Sequence, residues 1–218
     1  MFPSHFVASV CDAIDGARRA DRPILVAIDG PGCSGKSTLA QSLLLALADD
    51  AASIGIDEFF VPFCEQDLRC APCAAVLDGV AHLRWRELLD VTDRLARGCA
   101  ASYRPYDWEG DVLADVTRLT PRPIILVEGL YAMHRMLRDA YAFKVWVDGS
   151  SADRMLRVNA RDGERLLGLW HTVYVPRESW YLQSQRPFDD ADLFVLGAGL
   201  EWGATHRSFC HQLGSRHA

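Results

Sequence analysis

Three observations predict an α/β protein with a doubly wound parallel sheet flanked by helices. Five short apolar or alternating runs, at 24–28, 52–56, 123–127, 143–147 and 192–196, read as buried strands. The segments between them are long enough for the helical crossovers that parallel neighbours need. The first run leads directly into Gly30-Pro31-Gly32-Cys33-Ser34-Gly35-Lys36-Ser37, which fills the pattern G-x-x-x-x-G-K-[ST] between a strand and a helix. The chain has 218 residues, half of them hydrophobic, enough for one domain spanning 1–218 with a sizeable core. Within it, 58–122 reads as an insertion and 150–187 as a lid with its following helix.

Before the first strand, Phe6, Val10, Ile14 and Ala17 recur at helical spacing among Asp12, Asp15, Arg18 and Arg19, a pattern unlike a signal peptide. The loop after the first strand is chemically explicit. Its glycines let successive backbone N–H groups turn inward around phosphate oxygens, Lys36 adds a point charge, and the Ser37 hydroxyl can ligate Mg²⁺ at a helix N-terminus. Gly30, Gly32, Cys33, Ser34, Gly35, Lys36, Ser37 and Thr38 are therefore the nucleotide-binding candidates. An accidental match is expected on the order of once per thousand chains of this composition. Lys36 is moreover one of only two lysines, with Lys144. Cys33 fills a variable loop position and reads as structural.

In doubly wound sheets ligands sit at the carboxyl ends of the strands, so the residues just past each run matter most. There stand Asp29, Asp57-Glu58-Phe59-Phe60, Glu128-Gly129 and Asp148. Phosphoryl transfer to a hydroxyl needs a carboxylate that accepts its proton, and a magnesium–triphosphate needs oxygen ligands. Asp57 and Glu128 divide those two tasks. Asp29 reads as a loop stabiliser and Asp148 as a cap for a helix that begins near Ser150 or Ser151.

The insertion carries a helical stretch (Trp85, Leu88, Leu89, Leu95), then Tyr103-Arg104-Pro105-Tyr106-Asp107-Trp108. Pro105 keeps that segment extended, so the rings of Tyr106 and Trp108 can share one face and sandwich a planar or sugar-like acceptor. Residues 111–120 alternate and read as a short hairpin strand. Cys64, Cys70 and Cys73, with His82 downstream, offer one C-x-x-C and no second knuckle, which argues against a zinc finger. From Ser150 to Arg165 the chain reads as one helix with Arg154, Arg157, Arg161 and Arg165 along a face. Arginines on an element that closes over a nucleotide neutralise transferring phosphoryl charge and exclude water, with Arg161 and Arg165 as the candidates.

A formal net charge of −6 excludes broad nucleic-acid or anionic-membrane binding and favours a small-molecule partner. Seven cysteines at irregular spacing suit reduced thiols, and the absence of any 18-residue apolar span points to a cytoplasmic protein. Homo-oligomerisation is left open.

Taken together, G-P-G-C-S-G-K-S-T, D-E-F-F, Y-D-W, V-E-G and R-x-x-x-R-D-x-x-x-R resemble the uridine kinase and phosphoribulokinase-like branch of the P-loop kinases, across residues 24–196. The resemblance implies a P-loop NTPase-type sheet and an ATP- and Mg²⁺-dependent phosphotransferase acting on a hydroxyl of a uridine- or cytidine-like nucleoside or similar small metabolite. It implies that Asp57 receives the acceptor proton, that Glu128 supports magnesium, that Tyr106 and Trp108 hold the acceptor, and that Arg161 and Arg165 reach phosphates and substrate. Trp108 stands where the family has phenylalanine, and Leu166-Leu167-Gly168-Leu169-Trp170-His171 replaces a polar, arginine-rich turn. Those departures keep other acceptors in view: pantothenate, a sugar or an antibiotic-like molecule. A non-catalytic nucleotide-binding regulator is the reading from another class, weakened by the lack of an N-K-x-D motif.

Overall fold

A computed structural model of the chain describes residues 2–63, 81–198 and 201–205, with side chains described except at 164–166, 197–198 and 201–205. In chain order the elements are α1 (Ser4–Asp15), β1 (Ile24–Asp29), α2 (Lys36–Leu47), β2 (Ala51–Gly55), α3 (Trp85–Ala96), β3 (Ala101–Tyr103), β4 (Tyr106–Asp107), β5 (Val112–Leu113), β6 (Thr117–Leu119), β7 (Ile124–Glu128), β8 (Tyr141–Gly149), α4 (Ser151–Asp162), α5 (Glu164–Leu169), α6 (Val175–Gln185), β9 (Leu193–Ala198) and β10 (Glu201–Thr205).

Five strands form a parallel sheet in the order β9-β8-β1-β7-β2, and β10 adds an antiparallel edge beside β9. β1 and β7 lie at its centre and are apolar almost throughout, because helices cover both faces. One face of the sheet packs with α1 and α2 through Val10, Ile14, Leu39 and Leu43. The other packs with α3 and α6 through Trp85, Leu88, Leu95 and Tyr181.

All five anticipated runs are strands, in a doubly wound order. β10 lay outside the sequence expectation, since 201–205 carries no clear alternation. The stretch 111–120 supplies two ribbon strands rather than one: β5 pairs with β4 and β6 with β3. Residues 150–165 are not one helix, because Gly163 takes φ 71° and separates α4 from α5. Among the described residues, no helix is long and apolar enough to cross a membrane.

Candidate active site

β1 delivers the chain into the glycine loop, and α2 starts at Lys36 with Gly35 as its left-handed cap. The first-turn amides of α2 have no intrahelical acceptors, so Lys36, Ser37 and Thr38 present N–H groups to an anion. Gly30 must be glycine: φ is 150°, and a Cβ there would run into the Val147 carbonyl of β8. Lys36 is buried and donates to the Pro31 carbonyl at 2.8 Å. The Ser34 hydroxyl is buried and, among the described residues, has no hydrogen-bond partner. Cys33 sits at φ 58°, and burial pushes its thiol up, outweighing the pull of Arg161 and Lys36.

Asp29 is fully buried and accepts three hydrogen bonds, from Gly30 N–H (2.6 Å), Met133 N–H (2.7 Å) and the Tyr181 hydroxyl (2.7 Å). Burial still raises its carboxyl to about 6. It ties the loop to α6, in keeping with a stabilising role. Asp148 is not the helix cap; the Ser150 hydroxyl accepts from Asp153 N–H, while Asp148 accepts from Gly149 N–H at 2.7 Å.

Strand register brings the acids together. Glu128 at the end of β7 lies opposite Ile28 of β1 and Gly55 of β2, and Asp57 follows β2 in a short 3-10 turn. The Ser37 hydroxyl donates to Glu128 Oε2 at 3.3 Å. Burial raises Glu128 to about 7, opposed by Lys36 and reinforced by Asp57. Burial also raises Asp57, with Lys36 and Arg161 pulling it back and Glu58 adding to the rise. Glu58 itself is committed to structure, accepting from Gly55 N–H at 2.9 Å and from the Tyr103 hydroxyl at 2.6 Å. Among the described residues no group of three or more His, Cys, Asp or Glu could enclose a metal. One hydroxyl and one or two carboxylates beside a phosphate loop fit Mg²⁺, which keeps most of its waters.

The aromatic pair departs from the expected sandwich. Tyr106 and Trp108 pack edge-on against each other, with centroids 4.9 Å apart at 78°, so no slot separates them. Strand β4 ends at Asp107, before Trp108, and Tyr106 is buried in the core, its hydroxyl donating to Asp111 at 2.7 Å. Trp108 is 48 % exposed and its ring lies 4.9 Å from that of Phe60, three residues after Asp57. His82 packs 5.1 Å from Phe60 and 5.4 Å from Tyr131. Burial lowers it to about 3, with help from Arg177, so its ring is neutral. Cys64, Cys70 and Cys73 lie outside the described residues.

The helical arginines divide differently from the expectation. Arg154 donates to the Gly32 carbonyl at 2.8 Å and closes on Glu178, whose other oxygen accepts from Gly32 N–H at 2.7 Å. Arg157 donates to the Cys33 carbonyl at 3.1 Å. Arg161 donates through Nε and one Nη to Asp162 and lies 5.8 Å from the Trp170 ring, while Asp57 still feels its charge. Arg165 lies in α5, and its side chain is outside the described residues. Trp170 lies over the loop, 2.7 Å from where a Cβ of Gly32 would stand. Gln185 and Arg186 are structural: Gln185 accepts from Arg135 N–H, and Arg186 pairs with Asp189. Sequence reasoning passed over Glu178, since a lone acid inside an amphipathic helix carries no local signal.

A uridine kinase from Chloroflexus aurantiacus is 31% identical to this chain over 151 residues, covering 64% of the chain and 68% of that protein. A solved structure named as a possible uridine kinase from Bacillus stearothermophilus superposes with a TM-score of 0.61 at 20% identity, over 86% of this chain and 96% of that one. Phosphoribulokinase from Rhodobacter spheroides gives a TM-score of 0.52 at 16% identity, over 81% and 70%. At those identities the solved structures speak for the fold alone. No protein-family model matches the chain.

Proposed function

The chain belongs to the uridine kinase-like P-loop kinases and is a small-molecule kinase, and from that premise we propose that it transfers the γ-phosphoryl of ATP to a hydroxyl of a nucleoside or similar small metabolite. The observation that carries the reading is the convergence of Asp57 and Glu128 on Lys36 and Ser37 at one end of the sheet, with the half-exposed Trp108 packed on nearby Phe60. The backbone amides of Gly35 to Thr38 and the ammonium of Lys36 hold the phosphates. Ser37 and Glu128 would hold Mg²⁺, which when bound neutralises charge on the β- and γ-phosphates.

Asp57 accepts the acceptor's hydroxyl proton. The hydroxyl oxygen forms its bond to the γ-phosphorus, the bond from phosphorus to the bridging oxygen breaks, and ADP leaves with that electron pair. A carboxyl raised by burial is a stronger base than an exposed one once deprotonated, which suits the task. Arg161 stands within electrostatic reach of Asp57 and becomes a phosphoryl contact when it exchanges Asp162 for substrate. Trp108 supplies apolar contact to the acceptor.

The test is ADP release from ATP and Mg²⁺ against a panel of nucleosides, sugars and pantothenate, with K36A protein as the blank. Release that an acceptor stimulates in wild type but not in K36A supports the kinase. Tight ATP binding with no stimulated release and no phosphorylated product overturns it in favour of a nucleotide-binding regulator.

A further inference from the structure

Several arginines of the described residues come with acid partners. Arg84, Arg138, Arg154, Arg161 and Arg186 each close on a carboxylate: Glu87, Asp190, Glu178, Asp162 and Asp189. Arg177 is only partly exposed, and its Nη1 is shut off from solvent with no hydrogen-bond partner. Among the described residues it enters no ion pair. It stands on α6 next to Glu178, which reaches the loop at Gly32, and one turn before Tyr181, which reaches Asp29. This part of the helix therefore faces the site.

The surroundings of Arg177 include a buried histidine and two tyrosine rings. Its charge is felt by His82, Tyr131 and Tyr174. His82 is neutral and packs against Phe60, which also packs against Trp108. Tyr131 packs 4.9 Å from Tyr181, one turn along α6 from Arg177, and 5.4 Å from His82, so ring contacts join this face of the helix to Phe60 and Trp108. A guanidinium nitrogen shut off from water without an acceptor is costly to the fold, and a planar fork of donors matches a carboxylate or phosphate. A neutral acceptor would leave that charge uncompensated.

We propose that the acceptor carries an acid group, a carboxylate or a phosphate, and that Arg177 is the residue that selects it while the acceptor's hydroxyl faces Asp57. The inference rests on the kinase reading above and narrows it. It makes an uncharged nucleoside a poor substrate and a hydroxy acid or phosphorylated polyol a good one.

The experiment uses matched pairs: glycerate against glycerol, pantothenate against pantothenol, and a sugar phosphate against its sugar. Each is added to wild type, R177M and R177K with the phosphate loop filled by a non-hydrolysable ATP analogue and Mg²⁺, and thermal protection is read. Phosphoryl transfer is then followed with ATP. Wild type should bind at least one acid member about 10²-fold more tightly than its neutral partner, R177M should lose that preference, and R177K should keep part of it. Which pairs respond distinguishes carboxylate from phosphate. Ligand-free R177M should unfold at or above the wild-type temperature, because the charge removed has no partner; a large drop would make Arg177 a structural residue and overturn the proposal. Equal response to both members of every pair, or an acid preference that survives in R177M, also overturns it. Acid-selective binding without phosphoryl transfer supports the subsite and instead contradicts the kinase reading. Transfer to neutral members, indifferent to R177M, leaves the kinase standing and removes the acid subsite.

Discussion

Replacing Glu178 by Gln keeps the shape of a side chain that grips the loop but removes its charge. Arg154 and Glu178 are both 6 % exposed and act on the same residue, one holding the carbonyl and the other the N–H of Gly32. E178Q leaves a guanidinium buried without its counter-ion, and removing one partner of a buried pair costs about 3–5 kcal/mol. R154M leaves a buried carboxylate, which still accepts from Gly32 N–H, so its cost falls at the lower end of that range. The R154M/E178Q double variant removes both charges and should cost less than the two single changes together. Urea unfolding of wild type, both single variants and the double variant measures each term, with a coupling of about 2 kcal/mol or more expected. Because the pair braces the loop from outside, the KM for ATP should rise in E178Q as well. Single variants that each lose under about 1 kcal/mol and add without coupling, as exposed ion pairs do, would refute the brace.

Other outcomes follow from the same geometry. Glu128 is raised from 4.5 to about 7 and Asp29 from 3.8 to about 6, so both hold protons in the folded chain where the unfolded chain has released them. Their contribution is present at low pH and lost as pH rises through about 6 to 7, so the ligand-free protein should lose stability across that window. E128Q should flatten this trend and exceed wild type by about 3 kcal/mol above pH 8, and parallel unfolding curves for the two proteins from pH 5 to 8 would refute the assignment. W108A should raise the acceptor KM at least tenfold with little change in that for ATP; equal effects on both would make the half-exposed ring a packing element.

Much of the fold was legible because the strands that build it are short, apolar and separated by crossover-length segments. The loop was legible because few residues other than glycine can adopt the backbone at Gly30, and Lys36 and Ser37 have fixed places relative to it. The closeness of Asp57 and Glu128 was legible from position, since strand register brings Glu128 level with Gly55, two residues before Asp57. What escaped were contacts across long sequence separations. Glu178 reaches Gly32 and Tyr181 reaches Asp29 only because α6 returns over β1, and neither residue advertises this locally. The aromatic sandwich failed for a related reason: alternation predicts a shared face, but β4 ends before Trp108, and Tyr106 is buried while Trp108 is half exposed. The arginine face failed where Gly163 breaks the helix and Asp162 captures Arg161.

The most direct test of the central claim is single-turnover transfer of the γ-phosphoryl from labelled ATP in wild type and D57N, with ATP affinity measured on the same samples. Transfer that falls by about 10²–10⁴ while ATP affinity stays within a few-fold would support Asp57 as the group that takes the acceptor's proton. Near-normal transfer in D57N would contradict it.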